Sequence, residues 1–463
     1  MGTRGPFKRL SSSVVVILST TVFLAASFVP QASAGAAPFE PHLTPEVSGS
    51  ATAASYNPFG LMLPRTWKNP IEMVLAFGAT SVRPKEILVG NWSGSCPETS
   101  NWRGKGVDIL LTVRNATRNR LDPPGREVSR PPSNMSSYRN KVESIIRVCQ
   151  ANVLVVENEE DGGVFYEGSA SAYSNQLLNA CEVARANGIE CTNGGMTANQ
   201  AINMVYVHYW DTGQIVKAES FGQRLMDGDP FYNYLQGPPE QWLREKAATG
   251  RVYLDGYVAA GVDYVNFHWY ERDAGAFEEV AAFLKEQTGI PSITNETGQG
   301  NNDPAIITPR MQKVVAQNMP YAVWHSIDQD IPDAPNVVAL QQADEDRLMR
   351  PHGLAFQRFI AESLDQPAGH RNISLEIERF SRGNYRAFGS ILGDPLCKPS
   401  VPVRMQRLSW DERRVVRTWD TTTDAAGNYS IPFTINEGIK MRVIVAATPG
   451  CIATSSHIFP LYP

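Results

Sequence analysis

Between Asn57 and about Gly369 the chain alternates two textures. Short apolar runs of β type, bounded by turn residues, are followed by longer stretches with apolar residues at helical spacing. The runs fall at 59–63, 80–83, 107–113, 152–156, 189–192, 263–268, 291–294 and 321–324. Helical spacing covers 70–76, with Pro70 at its start as a first helical turn prefers, then 136–149, 170–186, a long stretch with an insertion over 198–260, 274–287 and 304–317. The run Val153-Leu154-Val155-Val156 is wholly apolar, which suits a strand covered on both faces. Eight strand–helix units in roughly 310 residues predict a parallel α/β fold closed as a (β/α)8 TIM barrel. The first strand is not followed by the G-x-G-x-x-G loop of a dinucleotide-binding sheet. After about Gly369 the helical period disappears. Alternating runs at 373–377, 385–388, 401–408, 413–419, 429–434 and 441–447, separated by turns such as Asp424-Ala425-Ala426-Gly427-Asn428, predict a small antiparallel β-sandwich. The expected domains are therefore 56–369 and 370–463.

The first 34 residues read differently. Arg4, Lys8 and Arg9 precede a mostly apolar stretch, and Ala32-Ser33-Ala34 closes it with small residues, the pattern of a secretory signal peptide. Residues 35–55, rich in Ala, Pro, Ser, Thr and Gly, read as a flexible lead-in. The mature chain is then expected to be secreted, without a membrane span, and to meet conditions in which disulfides form. Six cysteines allow 15 pairings; Cys181 with Cys191, across one turn, and Cys397 with Cys451, both in the C-terminal region, are favoured. With 42 basic against 47 acidic residues and a formal charge of −5, nucleic acid is a poor partner. Seven histidines and scattered cysteines supply no cluster for a metal, and no cofactor is expected.

In a (β/α)8 barrel the chemistry sits at the C-terminal ends of the strands. The second run ends in Arg83, the fourth in Glu157-Asn158-Glu159-Glu160-Asp161, the sixth in His268-Trp269-Tyr270, the seventh in Asn295-Glu296-Thr297-Gly298 and the eighth in Trp324. Carboxylates on the fourth and seventh strands face each other across a barrel mouth, as glycoside hydrolysis requires: one protonates the leaving oxygen, the other attacks or activates water. Arg83 is expected to favour an ionised Glu296, while Glu157 and Glu160 beside Glu159 favour its protonated form.

This constellation resembles the clan A glycoside hydrolases, near the cellulase-type family 5 and family 39 groups. The resemblance rests on Arg83, Asn158-Glu159, His268-Trp269-Tyr270, Glu296 and Trp324 in that strand order. It implies that Glu159 is the general acid/base and Glu296 the nucleophile of a retaining, double-displacement reaction on a β-linked carbohydrate. It further implies that Asn158 binds the sugar 2-hydroxyl, Tyr270 and Arg83 hold Glu296, His268 joins the cluster, and Trp324 floors the sugar subsite. Two departures stand out. Thr112-Val113-Arg114-Asn115 lacks the histidine of the family 5 third strand, and Glu160 replaces the proline that commonly follows Asn-Glu. A barrel of this shape without turnover, a carbohydrate-binding pseudo-enzyme, is the alternative. Trp67, Trp92, Trp102, Trp210, Trp242 and Trp269 are expected more to pack in the core or anchor at the surface than to extend a sugar platform. The stretch Thr421 to Ser430 resembles carboxypeptidase-regulatory-like or Cna-B-like modules.

Overall fold

A computed structural model describes residues 57–63, 70–96, 102, 106–116, 128–327, 339–340, 349–364, 371–410, 414–451, 453–456 and 459–461. The leader expected over 1–34, the lead-in over 35–55 and Trp67 lie outside the described residues.

Each apolar run becomes a parallel strand: β1 (Phe59–Met62), β2 (Ser81–Arg83), β4 (Asp108–Arg114), β5 (Val153–Val156), β6 (Glu190–Asn193), β7 (Val265–Asn266), β8 (Ser292–Thr297) and β9 (Ala322–Trp324). A two-residue strand, β3 (Ile87–Leu88), pairs with the end of β4. The order β6-β5-β4-β2-β1-β9-β8-β7 nearly closes on itself, because β6 and β7 meet through bridges at Thr192–Tyr264 and Met196–Phe267. Side-chain amides complete this seam where the backbone ladder is sparse. Asn193 Oδ1 accepts from the Asn266 backbone N–H at 2.7 Å, and Asn193 Nδ2 donates to the Asn266 carbonyl at 2.8 Å. Asn266 Nδ2 then donates to Asn295 Oδ1 at 2.8 Å, and Asn266 Oδ1 accepts from the Asn295 N–H at 2.9 Å. All three asparagines are fully buried, and these bonds satisfy their amide oxygens and the amide nitrogens of Asn193 and Asn266.

Leu110, Val153, Val155, Ile293 and Val323 fill the barrel interior, with Met62, Tyr264 and Tyr321 against them. The alternate strand residues, among them Leu61, Ile109, Leu154, Phe267 and Trp324, pack outward into the helix layer. That layer comprises α1 (Pro70–Ala76), α2 (Met135–Cys149), α3 (Ala170–Ala186), α4 (Ala198–Asp211), α5 (Ile215–Gly228), α6 (Gln241–Ala260), α7 (Ala274–Thr288), α8 (Pro304–Ala316) and α9 (Pro351–Ser363). The single helical stretch expected over 198–260 is thus three helices, with α5 inserted. Asn134, Ser169, Thr197, Asp273 and Asp303 cap their helices through side-chain oxygens. None of the described helices is long and apolar enough to cross a membrane.

The C-terminal region forms two antiparallel sheets. One holds β10 (Arg371–Ile373), β11 (Glu376–Ser381), β12 (Asn384–Gly393) and β15 (Asn428–Thr434). The other holds β13 (Pro402–Leu408), β14 (Val415–Thr422), β16 (Ile439–Val445), β17 (Thr454–Ser455) and β18 (Phe459–Leu461). Strict alternation of buried and open residues along β15 and β16 faces Tyr429, Ile431, Phe433, Met441 and Val443 into one separate core. Gln357 of α9 joins the two regions, donating to the Ala76 carbonyl at 2.7 Å and the Ile373 carbonyl at 3.3 Å. Cys181–Cys191 and Cys397–Cys451 pair as favoured, and Cys96 pairs with Cys149 across 53 residues.

Candidate active site

The β5 end owes its shape to two residues that are not glycine. Glu157 and Glu159 adopt left-handed backbone with φ of 72° and 43°, a conformation that costs about 1–3 kcal/mol and persists where surroundings over-determine it. The surroundings here are the partners of the carboxylates on either side. Glu157 turns back into the wall, accepting from the Asn115 N–H at 2.7 Å and from Gln176 Nε2 at 2.6 Å. Glu160 is equally buried, accepting from Asn193 Nδ2 at 2.8 Å and from the Tyr257 hydroxyl. Burial, and then Asp161, push its carboxyl up to about 7 against the pull of those two donors. Glu157 and Glu160 therefore do not crowd Glu159 as the sequence suggested. They are the anchors that leave Asn158 and Glu159 facing the mouth.

Space for this wall comes from Gly194 and Gly195. A Cβ on Gly194 would lie 2.8 Å from Glu160 Oε2, and one on Gly195, at φ +105°, would lie 2.1 Å from His268 Nε2.

Across the mouth, β8 slips register against β9 between Thr294 and Thr297, and this irregularity brings the consecutive residues Asn295 and Glu296 both into the site. Glu296 is gripped from several directions. Arg83 pairs with Oε2, Tyr270 donates its hydroxyl to Oε1 at 2.7 Å, and His268 Nδ1 lies 4.0 Å from Oε2. Burial opposes its charge, but His268, Arg83, His325 and the Tyr270 hydroxyl outweigh burial and hold it well below the usual carboxylate range. Arg83 is itself buried; it reaches Asn158 Oδ1 with its other terminal nitrogen and Thr112 Oγ1 with Nε at 3.2 Å. Thr112, on the strand of the third run, thus serves this arginine.

His268 bridges the two walls. Its Nδ1 meets Glu159 Oε1 at 3.0 Å and its Nε2 meets Asn295 Oδ1 at 2.9 Å. Asn295 Oδ1 is also the acceptor of Asn266 Nδ2, so both ring nitrogens of His268 face oxygen acceptors, an arrangement that favours the protonated ring. The direction of its shift agrees: burial works against charge, yet Glu296 and Glu159 raise it.

Glu159, His268 and Glu296 place potential ligand atoms within 4.8 Å of one another. In the structure these atoms are engaged by protein groups: both Glu296 oxygens by Arg83 and Tyr270, and both His268 ring nitrogens by Glu159 and Asn295.

The structure brings together Arg83, Asn158, Glu159, His268, Tyr270 and Glu296, but not Trp324. That ring is 2% exposed, packs on Phe356 of α9, and lies beneath the Arg310 guanidinium. It belongs to the helix-facing side of β9 and cannot floor a sugar subsite. His325 takes the mouth-facing place. Its ring stands edge-on to Tyr270 at 6.1 Å, and burial, Arg83 and His268 together lower its basicity despite the pull of Glu296. The sequence carried a signal for this. Tyr321 and Val323 point into the barrel, so strand parity assigns the next inward position to residue 325. Among the other tryptophans, Trp102 and Trp269 are core residues, Trp92 and Trp210 are partly buried against the same core, and Trp242 is exposed.

No protein-family model matches the chain. No curated protein matches it in sequence. Solved structures similar to it include a GH128 (subgroup I) endo-β-1,3-glucanase from Amycolatopsis mediterranei in complex with laminarihexaose, at 10% identity and TM-score 0.37, covering 65% of this chain and 98% of that one. A GH128 (subgroup VII) oligosaccharide-binding protein from Trichoderma gamsii is similar at 11% identity and TM-score 0.36, covering 66% and 95%. A hyperthermophilic β-glucosidase is similar at 10% identity and TM-score 0.41, covering 62% and 86%.

Proposed function

We propose that this chain is a secreted retaining glycoside hydrolase of clan A type that cleaves β-linked oligo- or polysaccharides. The observation that carries the reading is the carboxylate pair itself. Glu159 and Glu296, from the ends of β5 and β8, approach within 4.8 Å at their nearest ligand atoms. That closeness supports the roughly 5–5.5 Å spacing of double displacement over the about 6.5–9.5 Å of an inverting site.

The roles follow from the partners. Glu296, kept ionised, attacks the anomeric carbon and forms a glycosyl ester as Glu159 passes its proton to the departing oxygen. Glu159 then takes a proton from the water that cleaves the ester. Asn158 gives its side-chain oxygen to Arg83, so its amide N–H groups remain to donate to the sugar 2-hydroxyl. Three disulfides support export. The C-terminal sandwich, with its own core, serves attachment or spacing. A carbohydrate-binding barrel without turnover is disfavoured by the intact, oppositely held carboxylates.

The test is a panel of β-1,3- and β-1,4-linked glycans followed by NMR of the product anomer. Hydrolysis with retained β configuration is expected. An α product would remove double displacement, and binding without any cleavage would establish the pseudo-enzyme.

A further inference from the structure

Outside the carboxylate cluster, exposed aromatic side chains gather where α5 is joined to α6. Phe231 is 61% exposed and Trp242 is 42% exposed. Isolated apolar side chains at a surface need no explanation, but these two stand in one edge-to-face array. Phe231 packs at 5.2 Å on Tyr232 and 6.0 Å on Tyr234, and Tyr234 packs at 5.2 Å on Trp242.

Topology puts this array at the rim of the mouth. Helix α4 begins directly after Met196 at the catalytic end of the barrel and runs away from it, so α5 returns and the 229–240 connection lies at the catalytic end again. Two hydrogen-bonded links fix the place. The Tyr234 hydroxyl lies 2.7 Å from Asn199 Oδ1 and 2.9 Å from Asn203 Oδ1, in the first two turns of α4. The Tyr232 hydroxyl donates to Glu271 Oε1 at 2.7 Å, and Glu271 immediately follows Tyr270, which holds Glu296. The shelf thus lies beside the site, on its β6–β7 side.

We infer that Phe231 and Trp242 form a distal subsite for neutral sugar rings of a chain that is being cut at Glu159 and Glu296. This rests on the glycosidase reading and extends it to a polymeric, internally cleaved substrate. An aromatic face suits the C–H face of a β-linked pyranose, and fixed rings lose little entropy on binding. The polar groups beside the rings suit hydroxyls: Glu240 Oε2 accepts from Trp242 Nε1 at 2.9 Å and is exposed. The two exposed carboxylates at the array, Glu240 and Asp229, with Arg272 beside the end of α5, leave it without a net positive charge and so favour a neutral chain over a uronic acid.

The experiment uses the full chain and β-1,3- and β-1,4-glucan oligomers of two to six units together with the polymers. In Trp242→Ala and Phe231→Ala, KM for the hexamer and polymer should rise about tenfold each while kcat changes little, the mark of lost uniform binding. The effect should fade with shortening chain, and Trp242→Tyr should recover most of it. Equal effects at every chain length, or none on the polymer, would overturn the shelf and leave the glycosidase intact. If the wild type cleaves nothing, retardation in polymer-containing gels decides. Retardation lost in Trp242→Ala supports the shelf while the enzyme reading falls; retardation unchanged, or absent in the wild type, overturns the shelf.

Discussion

Glu296, on the β8 wall, is met by Arg83, Tyr270 and, at longer range, His268, whereas Glu159, on the β5 wall, is met among the described side chains by His268 alone. The contrast fits two tasks. A nucleophile must stay ionised and aimed, so it gains from several fixed donors. A group that gives up a proton and later takes one back must not be tied to a single charge state, so fewer partners serve it better.

The strongest way to break this contrast is Glu296→Ala. Turnover should fall by about 10^4-fold or more while the fold persists, and azide should restore activity with a glycosyl azide of inverted configuration. Activity near wild type would remove Glu296 from the chemistry. Glu159→Gln comes next, with a loss of about 10^2–10^4-fold on poor leaving groups and much less on activated aryl glycosides. Its pH–rate profile should lose the alkaline limb; equal losses on both substrate types would place the acid elsewhere.

Tyr270→Phe sharpens the comparison without deleting either carboxylate. Removing a donor to a carboxylate held low lets that group rise, so the acid limb of the profile should move to higher pH, with kcat down about tenfold. An unmoved acid limb would mean that Arg83 and His268 suffice.

Eight strands were legible because each apolar run lies between turn residues, and the six gathered site residues because they stand at the ends of those runs. Less was legible wherever the backbone departs from strand parity. The left-handed Glu157 and Glu159 send adjacent carboxylates to opposite sides, and nothing in a glutamate's identity signals a positive φ. The irregularity in β8 brings Asn295 and Glu296 to the same side. At β9, where parity does hold, the resemblance and the end of the apolar run favoured Trp324 although strand parity favoured His325.

The smallest effect concerns stability alone. Glu160 and Glu296 carry shifts of opposite sign. Glu296, held low, stabilises the fold above the unfolded carboxylate value of about 4.3 and loses that contribution as pH falls through its own folded value. Glu160, pushed up to about 7, does the reverse. Between about 4.3 and that value the folded chain binds a proton that the unfolded chain has lost, so stability falls as pH rises. Glu160→Gln should flatten the decline of Tm across this window, and an unchanged slope would assign the decline to another group.

The amide seam between β6 and β7 carries a chemical consequence for the ageing of the protein. Asn193 precedes Gly194, and an Asn-Gly peptide cyclises to a succinimide and deamidates most readily of all asparagine contexts when its backbone is free. In the folded chain both ends of the Asn193 amide are engaged and the residue is buried, so the ring cannot close. Unfolding removes that protection. Deamidation would place a carboxylate against Glu160 and the Asn266 carbonyl, where the barrel needs a donor, so time spent unfolded at high temperature would become a permanent loss of refolding competence.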